Sequence, residues 1–504
     1  MKRIVVSTVM LLLGMCAIAQ NRVPKSQKED KDHTLSEAYW AIWNPEVQAR
    51  IDADIDANRK ADAVLNLGLP AGTEVTVEQI SHDFIFGAHI FNFNQLGSHE
   101  RNERYKELYG TLFNSATIAF YWKTFETEPG RLRFATEYWD TEEFWNQCEN
   151  PKAQTHWRRP STDQVVEFCE SKGIRLHGHT IIWGNRRWQH PNWIYDKMMT
   201  PGEKALVANN AYKSWSDDRL CESLPEYGKT LNDLFTKRIT GLARHYGGRL
   251  QSWDVVNESA TDYHKMNPGG TLMKSSYGIM PADYPYKAFQ TAQKEFPDQV
   301  KLNINDYNMG QDYLDLVKDL TSRGCKIDIM GAQMHLFNPQ QCLDIADGKH
   351  IQTPDEIWGW SGLLSQADIP IHLSEITITS PGDDARGRRI QAIIAQNLYR
   401  LWFSLKPMMG ITWWNVVDDC GAPGEPSVSG LFDRDMKPKD SYYALDHLIN
   451  NEWKTRFSVK TGKKGVIKFR GFKGNYKVSW TDADGNVVTR EFYLKENGDG
   501  ITLQ

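Results

Sequence analysis

From residue 83 onward, short apolar runs alternate with longer stretches of helical period. Eight runs qualify as strands: Phe84–Ile90, Ser115–Tyr121, Ile174–Ile182, Leu250–Asn257, Lys301–Asp306, Ile327–His335, Ile369–Ile376 and Met409–Asn415. Between several of them lie amphipathic stretches, among them Leu231–Tyr246, Gln311–Arg323 and Arg388–Leu405,. Eight β-then-α units predict an α/β fold, a (β/α)8 TIM barrel over residues 83–452. Such barrels carry their chemistry at the C-terminal ends of the strands, with several strands contributing at once.

The flanks read differently. Residues 21–44 are expected to be a linker, polar and mobile over 21–35,. Residues 45–60 read as a helix. Asp52, Asp54 and Asp56 there imitate a calcium loop, but Ala57 stands where the turn glycine would be, so a solvated helix face is the better reading,. Residues 61–82 read as two or three strands around Leu69-Pro70-Ala71-Gly72, with clean alternation over Thr73–Gln79,. Residues 45–82 thus form an N-terminal helix and β-segment leading into the barrel. Residues 455–504 turn to strands again: Val466–Phe469, Tyr476–Trp480 and Val487–Phe492, the last two joined by the turn Asp482–Asn486,. A small C-terminal all-β domain is expected there, with a packing role ahead of sugar binding.

Composition narrows the function. A chain of 504 residues suits one large barrel with appendages,. Its net charge of −5 offers no basic surface for nucleic acid or anionic lipid,. Aromatics make up 12% of the residues, with 18 Trp, a supply that suits stacking on sugar faces,. Residues 1–20 have the form of a secretory signal: Lys2 and Arg3, an apolar core from Ile4 to Ile18, and Ala17-Ile18-Ala19 before Gln20,. A secreted, periplasmic or cell-surface protein is expected. Lipid anchoring at Cys16 is disfavoured by Met15, which is a poor fit to the small residue such processing needs. No other run is long and apolar enough to span a membrane. Export makes disulfides permissible. However, Cys148, Cys169, Cys221, Cys325, Cys342 and Cys420 are scattered without a C-x-x-C pair, so neither a zinc site nor a redox motif is indicated and most are expected to be buried free thiols,. A monomer is expected.

Two strands end in carboxylates. Trp253-Asp254-Val255-Val256-Asn257-Glu258 is an apolar run closed by two polar groups, and Glu375 interrupts Ile371–Ile378. A carboxylate at the tip of a buried strand costs several kcal/mol unless it is paired. One such Glu is most simply an ion-pair member. Two of them, far apart in sequence, are what a glycosidase needs: one acid and base, one nucleophile.

With these stretches in hand, the chain resembles glycoside hydrolase family 10, the family of retaining endo-β-1,4-xylanases. Further stretches agree in order: Phe86-Gly87-Ala88, Phe113-Asn114-Ser115 through Lys123 to Glu128-Pro129, Gly178-His179-Thr180-Ile181-Ile182-Trp183, Asn305-Asp306-Tyr307-Asn308, Gly331-Ala332-Gln333-Met334-His335 and Thr412-Trp413-Trp414. The resemblance implies that Glu258 is the general acid/base and Glu375 the nucleophile, about 5–5.5 Å apart. It implies that Asn257 binds the 2-hydroxyl of the sugar and that His335 orients Glu375. Gln333 would reach the nucleophile or the sugar. His179 and Lys123 would bind glycone hydroxyls, and Trp183 and Trp414 would wall the sugar. No cofactor or metal is called for; the partner is a polysaccharide.

The departures from that pattern lie on the glycone side. Ala119 and Phe120 replace the usual Glu and Asn, Gly184 the usual His, Arg186 the usual Gln, and Thr377 the usual acidic residue. The second Trp usual after strand eight has no counterpart in Asp418–Gly430. Phe120, Tyr121 and Trp122 are expected to present aromatic surface there. The long segments 131–160 and 185–227 add Trp139, Trp145, Trp157, Trp188, Trp193 and Trp215 and are expected to shape the cleft,. The first reading is therefore a retaining enzyme on β-1,4-linked xylan. The second is the same mechanism on a decorated xylan or another β-glycan, with an end-acting cleft among its forms. The third is a catalytically silent sugar-binding protein, which would have no need of both carboxylates.

Overall fold

The structure, a computed structural model, describes residues 23–496 and 500–502. The expected leader, with Cys16, lies outside the described residues. Eight parallel strands close into a barrel: β1 (Ile85–His89), β2 (Ser115–Ala119), β3 (Arg175–His179), β4 (Ser252–Asn257), β5 (Lys301–Asp306), β6 (Ile329–Leu336), β7 (Ile371–Ile378) and β8 (Met408–Trp413). β8 pairs with β1 through Gly410–Ile85 and its neighbours, and β4 pairs with β5 through Lys301–Ser252, so no edge is left open,. Every residue of β7 is buried, which follows from barrel strands being covered on both faces,. The helix Pro225–Tyr246 turns Leu231, Phe235, Ile239, Leu242 and Tyr246 inward, as its period dictates,. The helix Ala385–Ser404 is buried almost all round, because Asp440–His447 and Pro45–Arg59 pack over its outer face.

The segment expected to be a mobile linker is instead packed. Val23, Leu35, Tyr39, Trp40 and Trp43 are buried, and a short helix Glu37–Ile42 is capped by Ser36. Gln396 donates to the carbonyl of Pro24 at 3.0 Å, and Asn397 donates to the Tyr39 hydroxyl at 2.7 Å. The polar composition of 25–33 concealed a few large apolar anchors at its ends. The helix at Pro45–Arg59 forms as expected, with Asn44 accepting from the amides of Glu46 and Val47. Its Asp52 pairs with Arg400, and Asp56 pairs with Lys60 and Arg470.

The two flanking β-segments belong to one body. Lys60–Asn66 pairs antiparallel with Val466–Phe472 and parallel with Gly500–Thr502. Glu74–His82 is the inner strand between Arg456–Lys460 and Gly474–Thr481, and Val487–Leu494 completes that sheet. Leu65, Val75, Val77, Ile467, Tyr476, Val478 and Leu494 fill the space between the two sheets,. This sandwich sits at the base of the barrel. The Asp83 amide, just ahead of β1, donates to the Lys473 carbonyl at 3.1 Å, and Tyr493 donates to the Asp83 carboxylate at 2.5 Å. Phe472 also reaches the barrel core beside Phe403. Among the described residues the six cysteines are free, three of them buried, and no helix is long and apolar enough to cross a membrane.

Candidate active site

β4 and β7 place Glu258 and Glu375 in one open cleft of about 430 Å3 at the C-terminal mouth, with Trp183, Gln333, His335 and Trp414 around them. Glu258 follows the last residue of β4 with φ of 56°. That left-handed turn, costly for a side chain with a Cβ, breaks the strand alternation directly after Asn257. Its amide is held by the Asn305 carbonyl at 2.7 Å.

The two carboxylates have unlike surroundings. Glu258 Oε2 accepts from the Tyr277 hydroxyl at 2.7 Å and from Trp183 Nε1 at 3.0 Å, while Gln333 Nε2 stands 3.4 Å from Oε1. Burial raises its pKa, the nearby Glu375 adds to the rise, and the Tyr277 hydrogen bond only partly opposes it,. Glu375, 5% exposed, accepts from Asn305 Nδ2 at 2.8 Å. His335 Nε2 lies 3.4 Å from Glu375 Oε2, and His179 Nε2 lies 3.7 Å from Oε1. Asn257 completes a continuous chain. Asn305 donates to Asn257 Oδ1 at 2.8 Å, and Gln333 donates to the same oxygen at 3.2 Å. The two carboxylates are thus bridged by three amide side chains. Gly331 on β6 makes room for the bridge, since a Cβ there would come within 2.4 Å of Asn305 Oδ1.

A layer below, Asp254 of β4 orients the histidines. It receives His179 Nδ1 at 2.8 Å and His177 Nε2 at 2.9 Å. Burial would raise the Asp254 pKa, but His177 and His179 hold it well below the usual carboxylate range. Burial likewise opposes charge on His179, yet Glu375 and Asp254 outweigh it and raise its pKa. His335 Nδ1 is fixed by the Thr377 hydroxyl at 2.9 Å, the position where an acidic residue was expected. Trp414 stands edge-on to His179, at 5.4 Å between ring centres, and donates Nε1 to Glu425 at 3.3 Å.

Of the residues singled out in the sequence, Asn257, Glu258, Glu375, Gln333, His335, His179, Trp183 and Trp414 meet here. Lys123 does not. It lies on the short helix Trp122–Phe125, and its Nζ donates to the backbone carbonyl of Arg187 at 3.1 Å, so Arg187 lines the cleft and Lys123 does not. Phe120 and Trp122 present no surface either. Phe120 packs on Trp253 at 4.6 Å and Trp122 on Phe235 at 5.6 Å, and only Tyr121 of the three reaches the cleft. Strand alternation turns Phe120 inward, and the helix that follows buries Trp122. Of the loop tryptophans Trp188 lines the cleft, whereas Trp145, Trp157, Trp193 and Trp215 are buried, Trp193 against Trp122 with its Nε1 donating to the Glu126 carbonyl at 2.8 Å.

Four contributors had no assigned role in the sequence. Tyr277 comes from the ribbon of Leu272–Ser275 and Gly278–Pro281. Asn305 stands in a matched stretch without an assigned role. Arg158 and Arg159 reach the cleft from the long segment after β2. Tyr277 also accounts for Gly184: a Cβ at Gly184 would meet the Tyr277 ring at 3.1 Å, so the ring occupies the space of the expected His.

A closed parallel barrel with a protonatable and a hydrogen-bonded carboxylate at the ends of β4 and β7 defines the two-carboxylate class of barrel glycosyl hydrolases. The family model of glycosyl hydrolase family 10 matches residues 79–448, and the chain belongs to that family. It is 28% identical over 296 residues to endo-1,4-beta-xylanase A of Thermoanaerobacterium saccharolyticum, covering 56% of this chain and 22% of that protein. It is 32% identical over 286 residues to endo-1,4-beta-xylanase A of Halalkalibacterium halodurans, covering 52% of this chain and 63% of that protein. The chain thus spans less than two thirds of these curated relatives. In fold it matches native xylanase 10B from Thermotoga maritima, with a TM-score of 0.51 and 21% identity over 73% of this chain and 96% of that one.

Proposed function

We infer that the protein is a retaining glycoside hydrolase that cleaves β-1,4-linked xylan-type polysaccharide. The observation that carries this reading is the asymmetry of the two carboxylates: Glu258 is driven toward its protonated form by burial, while Glu375 accepts from Asn305 and has His335 and His179 within ion-pair distance. In the first step a Glu375 oxygen attacks the anomeric carbon as the glycosidic C–O bond breaks. Glu258 delivers its proton to the departing oxygen. In the second step Glu258, now ionised, takes a proton from water. The resulting hydroxide attacks the same carbon, and the bond to Glu375 breaks. Two inversions retain the anomeric configuration. Asn257, held by Asn305 and Gln333, offers its free Nδ2 edge to a sugar hydroxyl beside Glu375. Trp183 and Trp414 wall the ring. Residues 1–20 support export of the enzyme to where its polymer lies,.

The test is product analysis on linear xylan together with the anomeric proton signal of fresh product. Xylo-oligosaccharides with retained configuration are expected, and Glu375→Ala abolishes them. Release of inverted product, or of no product from any β-1,4-linked polymer, would overturn the reading.

A further inference from the structure

The catalytic steps leave unused a cluster of positive charge on the cleft wall. Arg158 is 2% exposed and has φ of 62°, a backbone conformation that a non-glycine residue adopts only when its surroundings enforce it,. Its amide is tied to Gln95 Oε1 at 2.7 Å, and its guanidinium is tied to Glu425 at 3.2 Å and Asn415 at 3.1 Å. Its charge is therefore committed. The charge of Arg159 is not. Its Nη1 donates to the Arg158 carbonyl at 2.8 Å, and among the described residues it has no ion-pair partner. Its guanidinium lies 3.8 Å over the face of Tyr121. Although the residue is only half-buried, burial lowers its pKa to about 10, with Tyr121 opposing, so it stays charged at neutral pH.

That stacking changes what the cleft wall offers. An aromatic face beside a glycosidase centre ordinarily carries a sugar ring, but here the face of Tyr121 is covered by a cation. Tyr121 in turn is edge-on to His179, at 5.4 Å between ring centres, and His179 touches Glu375. The cation therefore sits about one ring beyond the nucleophile. The carboxylates around it are already engaged: burial drives Glu258 toward its protonated form, Glu375 accepts from Asn305, and Glu425 is held by Arg158, Asn415 and the Ala422 amide. Arg187, stacked on Trp188 at 4.6 Å on the same cleft, adds a second cation without an ion pair among the described residues. The expected neutral-sugar ligands of this side, Glu and Asn, are Ala119 and Phe120 here.

We propose that Arg159, supported by Arg158 and Arg187, binds a sugar-borne anion, a uronic acid carboxylate or a sulfate ester, so that the enzyme acts on an acidic β-glycan in preference to a neutral one. The planar guanidinium fork suits either group. The inference builds on the proposed function and specifies its substrate.

The test uses full-length Glu375→Gln enzyme, which binds without turnover, titrated calorimetrically with three ligands. These are xylotetraose, a xylo-oligosaccharide bearing a glucuronic acid branch and a sulfated β-linked oligosaccharide. One or both anionic ligands are expected to bind about 10- to 100-fold tighter than the neutral one. The preference should shrink with added salt and fall by that factor in Arg159→Gln, with Arg159→Lys retaining part of it. Binding of the carboxylate ligand alone assigns a uronic acid, and binding of the sulfate ligand alone assigns an ester. Equal affinity for all three ligands overturns the proposal, as does a preference untouched in a folded Arg159→Gln variant. Hydrolysis of neutral linear and acid-decorated xylans by the unmodified enzyme is measured alongside. Absence of both activities with the anion preference intact overturns the xylan reading alone, and activity without the preference overturns the anion site alone.

Discussion

The two walls of the cleft are built on different principles. One wall comes from strand ends β4 to β7. There Glu258, Gln333, Asn257, Asn305 and Glu375 form an unbroken hydrogen-bond chain on rigid, buried backbone. The other wall comes from segments after β2, β3 and β8. There Tyr121, Arg159, Trp188 and Pro423 line the cleft, held by stacking and by ties within long loops. On the proposed function the first wall holds the chemistry and the second meets the substrate, and the two walls share no backbone segment.

The sharpest way to break this contrast is at Glu375. Glu375→Gln should lower kcat by about 10^5-fold on every substrate, because a missing nucleophile cannot be replaced by remote binding. Single-turnover rates check this, and a substrate-dependent loss would argue against a shared chemical wall. Glu258→Gln comes next, with a fall of about 10^2- to 10^4-fold and loss of the alkaline limb of the kcat/KM profile. Tyr277→Phe removes the hydrogen bond that holds the Glu258 pKa down. The alkaline limb should move to higher pH, with a loss near tenfold for a bond to a charged group,. A limb that stays in place would show that Tyr277 does not face the ionised form.

A gentler test reads stability. Burial raises the Asp306 pKa to about 7, while its oxygens accept the Ala260 and Asn308 amides at 2.8 and 2.9 Å. A raised folded pKa means that the stability from this group is full below its ordinary value of 3.8 and is lost progressively as pH rises to about 7,. The melting temperature should therefore decline across that window, and Asp306→Asn should flatten the slope. The smallest effect on activity belongs to the base of the barrel. Ile467→Ala should cost about 2–5 kcal/mol in the sandwich while leaving kcat nearly unchanged, as paired melting and rate measurements would show,.

The strand wall was legible in the sequence because a polar residue ending an apolar strand is a local signal. Glu258 and Glu375 stand out in their own six- to eight-residue windows. The loop wall was not. Phe120 and Tyr121 are adjacent, yet one packs on Trp253 and the other faces the cleft; the sequence names both as aromatic and does not say which way each turns. Tyr277 reaches Glu258 from a ribbon whose path depends on the space left at Gly184. Lys123 kept its place in a matched motif but turned to the Arg187 carbonyl, a partner supplied by a long loop of this chain. The pairing of residues 60–82 with 456–502 is the same failure on a larger scale, because strand partners so far apart leave no shared pattern in either segment.

That pairing sets a clock for the nascent chain. Lys60–Asn66 finds its neighbours only when Val466–Phe472 and Gly500–Thr502 have been made. At roughly 5–20 residues per second, synthesis leaves the strand alone for on the order of tens of seconds. During that interval its apolar side chains and open backbone edge are an invitation to wrong partners. The barrel, whose strands pair with their neighbours in sequence apart from the closing pair β8–β1, can form first, and the sandwich closes as a late seal that ties early chain to late chain.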